Sequence, residues 1–324
     1  MARRPVPGPT KQSSWLATAR FAALATTNPT LTPMKKSPFV ALLIGMLGLP
    51  ALALAQTGKV FDTLTLPSKI LNMERKYAVY LPPDYDSSQR SYPVLYLLHG
   101  GGDDQTGWIQ FGEVQRIADE AIRNGTATPM VIVMPDADTG RRGYFNAPDG
   151  KWNYEDFFFQ ELMPHVENTY RIRQDKRYRA VAGLSMGGGG SFLYALRHPE
   201  LFSSACPLSA SCGPLTLAEA KEQLARSNKD TTFTDAQVEA HYKHRSVLAQ
   251  VVAMPDDQKK AVRWYIDCGD DDFLYEGNSL VHIAMKKKEI PHEFRVSDGA
   301  HNWTYWRKSL PTVLSFVSDS FHQY

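Results

Sequence analysis

From Val60 onward, short apolar or β-branched runs alternate with amphipathic stretches, the pattern of an α/β sheet and not of a helical bundle or β-sandwich. Early strands are expected at 60–66 and 77–81, the second stopped by Pro82-Pro83, where ladder pairing must end. Residues 93–99 are apolar almost without a break, as a strand covered on both faces requires, and run directly into Gly100-Gly101-Gly102. Further strands are expected at 130–134, 178–182, 202–208, 262–266 and 292–296. Helical periodicity falls at 113–123, 154–170, 187–198, 278–287 and 305–321. The alternation predicts a mostly parallel central sheet with helices on both faces. Residues 213–260 are polar and helix-prone, and form a helical insert after the sixth strand that is longer than an ordinary connection. It is a candidate cap over a site, although a plain surface helical pair would carry the same signature.

The first 55 residues break this pattern. Residues 1–33 show no sustained periodicity and are rich in Pro, Thr and Ala, the mark of a disordered leader or an upstream extension of the reading frame. From Met34 a three-part export signal follows: Lys35-Lys36, an apolar stretch over 39–49, and the small-residue cleavage site Ala53-Leu54-Ala55. The apolar run contains Pro50 and falls short of the ~20 residues that span a bilayer, so a signal peptide over 34–55 is expected in place of an anchor. The mature chain, 56–324, is expected to be one catalytic domain, periplasmic or secreted. Gln56 is not a cysteine, so lipidation at the cleavage site is excluded.

Composition narrows the class. With 43% hydrophobic and 22% charged residues, the chain of 324 is neither disordered nor a disulfide scaffold. The 36 basic and 34 acidic residues nearly cancel, which argues against nucleic acid or a charged membrane surface as partner. No acidic residue precedes Asp62, so without residues 1–55 the balance is 30 basic against 34 acidic. Cys206, Cys212 and Cys268 are too few and too irregularly spaced for a zinc ribbon and are expected to be small buried hydrophobes. One disulfide among them stays open in an oxidising compartment.

The candidate chemistry centres on Gly183-Leu184-Ser185-Met186-Gly187. The motif alone is weak. Its placement between a β-branched strand and a small-residue helix is what a nucleophile elbow needs, because the tight turn projects the serine Oγ above the sheet edge. The run Gly188-Gly189-Gly190 is harder to place, since an interior helical glycine costs about 1 kcal/mol relative to alanine. It indicates close helix packing or room for substrate.

A serine nucleophile needs a base and an orienting acid, in the chain order Ser, then Asp or Glu, then His. His301 lies in a short loop after the last strand, whereas His198, His241, His244, His282 and His292 have adequate structural readings and His322 is at the terminus. His301 is the expected base. The loop after the penultimate strand offers Asp267, Asp270, Asp271 and Asp272 as the acid, and Asp272 is the choice among them. The expected oxyanion donors are the backbone N–H groups of Met186 and Gly101, with His99 structural. Trp108, Tyr144, Trp152, Trp303 and Tyr305 are candidates for an aromatic wall at the site, the three tryptophans leading as substrate-binding candidates, although aromatic residues near a pocket are more often core.

Over about residues 60–320 the chain resembles the esterase D family of α/β-hydrolases, which includes feruloyl and acetylxylan esterases, S-formylglutathione hydrolases, enterochelin esterases and mycolyltransferases. The resemblance rests on Leu97-Leu-His-Gly-Gly101, Trp108, Tyr154-Glu-Asp-Phe-Phe158 with Tyr170-Arg-Ile-Arg173, and Gly183-Leu-Ser-Met-Gly-Gly188 with Tyr194-Ala-Leu-Arg-His-Pro199. Cys268-Gly-Asp-Asp-Asp272 and Gly299-Ala-His-Asn-Trp303 with Trp306 complete it. It implies the α/β-hydrolase fold, Ser185 as nucleophile, His301 as base and Asp272 as acid. Asp270 and Asp271 beside that position depart from the family pattern, so the acid could fall one or two positions earlier. The resemblance also implies, with the export signal, action on plant cell-wall esters in place of a cytosolic thioester.

The expected protein is therefore an exported serine carboxylic-ester hydrolase working through an acyl-enzyme on acyl or feruloyl esters of carbohydrates. It needs no metal or organic cofactor, and its partner is a small or polysaccharide-linked ester. An acyltransferase with the same acyl-enzyme and a catalytically silent carbohydrate-binding protein are the rivals.

Overall fold

The computed structural model describes residues 56–137, 143–148, 150–227 and 232–322. The expected leader and export signal lie outside the described residues. Eight strands form one sheet: β1 (Lys59–Ser68), β2 (Met73–Leu81), β3 (Val94–Leu98), β4 (Val131–Pro135), β5 (Arg179–Leu184), β6 (Ser204–Leu208), β7 (Arg263–Gly269) and β8 (Glu293–Ser297). Their spatial order is β1-β2-β4-β3-β5-β6-β7-β8, antiparallel at β1-β2 and β2-β4 and parallel elsewhere. Each expected strand is present. The largest shift is at the start of β2, where the charged run Glu74-Arg75-Lys76 hides a strand that pairs with β1 at the sheet edge. Residues 73–76 pair with β1 ahead of the register with β4, which begins at Tyr77, and Glu74 and Lys76 stay exposed there.

The helices are α1 (Gly107–Gln110), α2 (Val114–Arg123), α3 (Tyr154–Phe157), α4 (Met163–Thr169), α5 (Met186–Arg197), α6 (Leu217–Ser227), α7 (Asp235–Arg245), α8 (Val247–Ala253), α9 (Tyr275–Lys287) and α10 (Trp303–His322). The helix expected over 154–170 is interrupted: Phe158–Leu162 widens into a π turn between α3 and α4. Pro164 has no N–H to return to the carbonyl four residues back, and the ladder loosens upstream of it.

Strand β3 shows how the two layers of core arise. Val94, Tyr96 and Leu98 join one apolar cluster with Phe158, Phe192 and Trp264, while Leu95 and Leu97 join another with Trp108, Leu310 and Val313. Alternate side chains point to opposite faces, so an unbroken apolar run is buried twice. The first cluster is braced by a buried bidentate pair, Arg179 donating to Glu167 at 2.7 and 2.8 Å, with the Tyr96 hydroxyl adding a bond at 3.2 Å. Removing one partner of such a pair costs about 3–5 kcal/mol because a charge is left buried alone.

The insert after β6 contains α6, α7 and α8. The first two share a small core of Ala220, Leu224 and Val238, whereas α8 packs against α5 and α9. The end of α7 is tied to Arg197, which donates to the His244 carbonyl, and the Arg245 guanidinium lies 4.2 Å over the Phe145 ring. Arg197 is the last residue of α5, so this anchor is about 16 Å along the helix from the end that carries Ser185.

All three cysteines are free and buried. Cys206 and Cys212 belong to different core clusters, and the disulfide left open by the sequence is not formed. Among the described residues, no helix is long and apolar enough to cross a membrane.

Candidate active site

Strand β5 ends at Leu184, and the chain reverses at Ser185 into α5 with φ 54° and ψ −115°, a backbone conformation strained for a residue with a side chain. The surroundings hold it there. The Ser185 N–H donates to the Leu208 carbonyl at 2.9 Å, and the Ser185 carbonyl accepts from Gly189 at 3.0 Å and Ser211 at 2.9 Å. A Cβ at Gly183 would lie 2.5 Å from the Gly187 carbonyl oxygen, and one at Gly187 would lie 2.6 Å from that of His99. The glycine run beyond has the same origin: a Cβ at Gly188 or Gly189 would meet the carbonyl oxygens of Leu208 at 2.7 Å and Ser211 at 2.2 Å. Close packing of α5 against β6 and its following loop, not room for substrate, accounts for these two positions.

The loops that carry the candidate acid and base meet beside this turn. A Cβ at Gly269 would lie 2.0 Å from the Gly299 carbonyl oxygen, so the segments after β7 and β8 run in contact. There His301 Nε2 lies 2.9 Å from Ser185 Oγ, and its Nδ1 lies 3.0 and 2.9 Å from the two Asp272 oxygens. Asp272 is 1% exposed. Burial pushes its carboxyl pKa up, but hydrogen bonds from His301, the Leu274 N–H at 2.8 Å and the Ser209 hydroxyl outweigh this and hold it below the ordinary carboxylate value. A carboxylate so held keeps the Nδ1 proton in place and leaves Nε2 free to accept from the serine.

The other three carboxylates of the loop have different fates. Asp267 accepts from the Tyr265 hydroxyl at 3.0 Å and from the Tyr305 hydroxyl. Asp270 and Asp271 are exposed, and Asp270 accepts from the Gly299 N–H at 3.0 Å. Of the four candidates, Asp272 is the one that meets His301. Ser209 was not singled out by the sequence. It has a positive φ of 44°, accepts from the Trp306 indole N–H at 3.0 Å and donates to Asp272, yet Ser209-Ala-Ser211 reads as an ordinary turn.

Gly100 passes beside the elbow, where an added Cβ would sit 2.6 Å from Leu184 Cδ1 and 3.4 Å from Ser185 Cβ. Gly101, by contrast, borders open space. His99 is buried and braces this loop: Nε2 accepts from the Ala137 N–H at 3.0 Å, so Nδ1 carries the proton and donates to the Gly100 carbonyl at 2.8 Å. Burial holds its pKa below the ordinary histidine value, consistent with a structural role.

The expected aromatic wall is largely core. Trp108 and Trp152 are 1% and 5% exposed, and their indole N–H groups are already donated to the Leu98 and Gly143 carbonyls at 3.0 and 2.8 Å. Tyr144 and Tyr305 are buried as well, their hydroxyls committed to His99 and Asp267. Large rings repay burial by their area, and that outcompeted a role at the surface. Trp303 is the one of the five that is only partly buried. Two rings not singled out by the sequence are exposed: Phe273, whose centroid is 4.5 Å from that of His301, and Phe111, 5.9 Å from Trp303.

This sheet order, with a strained serine turn after β5 and with Asp272 and His301 in the loops after β7 and β8, is that of an α/β-hydrolase. The chain belongs to the family described as Putative esterase, whose model matches residues 68–317. An endo-1,4-beta-xylanase/feruloyl esterase of Xylanibacter ruminicola is 30% identical over 245 residues, 72% of this chain. The chain spans only 28% of that relative's length. An acetyl esterase of Caldicellulosiruptor saccharolyticus is 23% identical over 78% of this chain and 95% of its own. Among solved structures, a ferulic acid esterase is 36% identical with a TM-score of 0.72, covering 82% of this chain and 99% of its own. Family and relatives together support carboxylic-ester hydrolysis as the class of activity.

Proposed function

We propose that this chain is an exported serine carboxylic-ester hydrolase that forms an acyl-enzyme and acts on acyl or feruloyl esters of carbohydrates. The observation that carries the mechanism is the hydrogen-bonded line from Asp272 through His301 to Ser185 Oγ on a positive-φ elbow. Ser185 Oγ attacks the ester carbonyl as its proton passes to His301 Nε2, and Asp272 stabilises the imidazolium that forms. The backbone N–H groups of Met186, at the head of α5, and Gly101, beside open space, are the donors for the developing oxyanion. His301 then protonates the leaving alcohol, and water hydrolyses the acyl-enzyme by the reverse proton route. The substrate class rests on the named activities of the xylanase/feruloyl esterase and ferulic acid esterase relatives. Export rests on the signal pattern from Met34 to Ala55.

The test is fluorophosphonate labelling of the purified protein, with chromatography of ferulic and acetic acid released from arabinoxylan, beside Ser185→Ala. Labelling and acid release that both vanish in the variant are expected. Labelling that persists in Ser185→Ala would overturn the nucleophile, and labelling without release of either acid would overturn the substrate class.

A further inference from the structure

The proton route determines what the alcohol half of the ester touches. When the tetrahedral intermediate collapses, the bond from the acyl carbon to the alcohol oxygen breaks, and that oxygen takes the proton held on His301 Nε2. The alcohol therefore departs along the His301 ring, and the groups packed around that ring are the groups it meets. Trp306, edge-on at 4.9 Å, is buried. Phe273, at 4.5 Å, is 71% exposed, although it stands between the buried Asp272 and the start of α9.

A lone exposed phenylalanine would need no explanation. This one is followed two positions on by Tyr275, 58% exposed, and it terminates a chain of ring contacts crossing the site. The chain runs from Phe273 through His301 and Trp306 to Trp303 at 5.3 Å, then to the exposed Phe111. Exposed carboxylates flank Phe273 within three residues along the chain: Asp270, Asp271 and Glu276. A sugar ring has C–H groups on its faces and hydroxyls around its edge, so it matches ring faces bordered by carboxylate oxygens. The same carboxylates disfavour a phosphorylated or uronic-acid alcohol by like-charge repulsion.

We infer that Phe273, with Tyr275 beside it, is an alcohol-side subsite that stacks on sugar residues of a neutral carbohydrate chain while Ser185 attacks its ester. This rests on the carbohydrate-ester reading proposed above. It is tested with two esters of one acid, methyl ferulate and a feruloylated arabinoxylo-oligosaccharide, which differ only in the alcohol. The wild-type protein is expected to favour the oligosaccharide ester in kcat/KM. In Phe273→Ala that preference should fall about tenfold, equivalent to about 1.4 kcal/mol, through KM, and Phe273→Trp should retain it. Taking the ratio of the two esters divides out any disturbance of His301, which affects both alike. A preference unchanged in Phe273→Ala would overturn the subsite and leave the carbohydrate reading standing. A wild-type protein that turns over methyl ferulate but shows no preference for the oligosaccharide ester would remove both.

Discussion

Two buried aspartates five residues apart, Asp267 within β7 and Asp272 just after it, divide one short segment into a structural half and, on the proposed mechanism, a chemical half. Both are nearly inaccessible, at 4% and 1% exposure. The partners of Asp267 are two tyrosine hydroxyls whose pKa values burial raises well above the ordinary, so its hydrogen bonds are fixed across the working pH range. The main side-chain partner of Asp272 is an imidazole, a group that can take and return a proton. A buried carboxylate is thus committed to structure or to chemistry by its partner. The sheet edge decides which partner it meets, since β7 carries Asp267 inside the ladder and releases Asp272 into the loop facing His301.

The contrast can be broken most forcefully at the end of the chemical line. Ser185→Ala and His301→Ala should each lower kcat about 10⁶-fold, and the double variant should lose little more, because the residues act as a unit. Losses that add would show that they do not. Asp272→Asn should follow, with a fall of about 10⁴-fold in kcat from the wrong imidazole tautomer, and retention of more than a tenth of kcat would place the acid elsewhere. Asp267→Asn should do the opposite. One of the two buried tyrosine hydroxyls loses its oxygen acceptor, so thermal unfolding should show a loss of about 1–3 kcal/mol, with kcat falling far less than in Asp272→Asn. An equal kinetic loss in the two variants would erase the distinction.

The smallest effect concerns acid stability. The folded-state pKa of Asp272 lies below its ordinary value of 3.8, so its contribution is fully present above that value. It is lost as pH falls through the depressed folded value, because below it both folded and unfolded states are protonated. Melting temperature measured downward from pH 5 should therefore decline less steeply in Asp272→Asn than in wild type. A steeper decline in the variant would contradict the sign.

Much of this was legible from pattern alone. The apolar runs at 93–99 and 130–134 could be nothing but covered strands, and the glycines flanking Ser185 announced a turn too tight for side chains. The choice among Asp267, Asp270, Asp271 and Asp272 was not decided by spacing, because loop geometry and partners contributed by β8 and α10 separate them. Aromatic residues misled for a related reason: Trp108 and Trp152 satisfy their indole N–H groups against main-chain carbonyls of distant segments, which no local pattern announces. Phe273 was not singled out because nothing in its local sequence shows that its ring is exposed against His301. The strand hidden in Glu74-Arg75-Lys76 was shortened because its pairing, not its composition, makes it a strand.

The burial of the three cysteines sets how the folded protein meets its redox surroundings. Burial drives the thiol of Cys268 up to about 12 and those of Cys206 and Cys212 higher still, so the native chain presents almost no thiolate at neutral pH. Thiol exchange needs that anion. In the folded state the three thiols are therefore poor partners for exchange, and the fold holds no disulfide for a reductant to open.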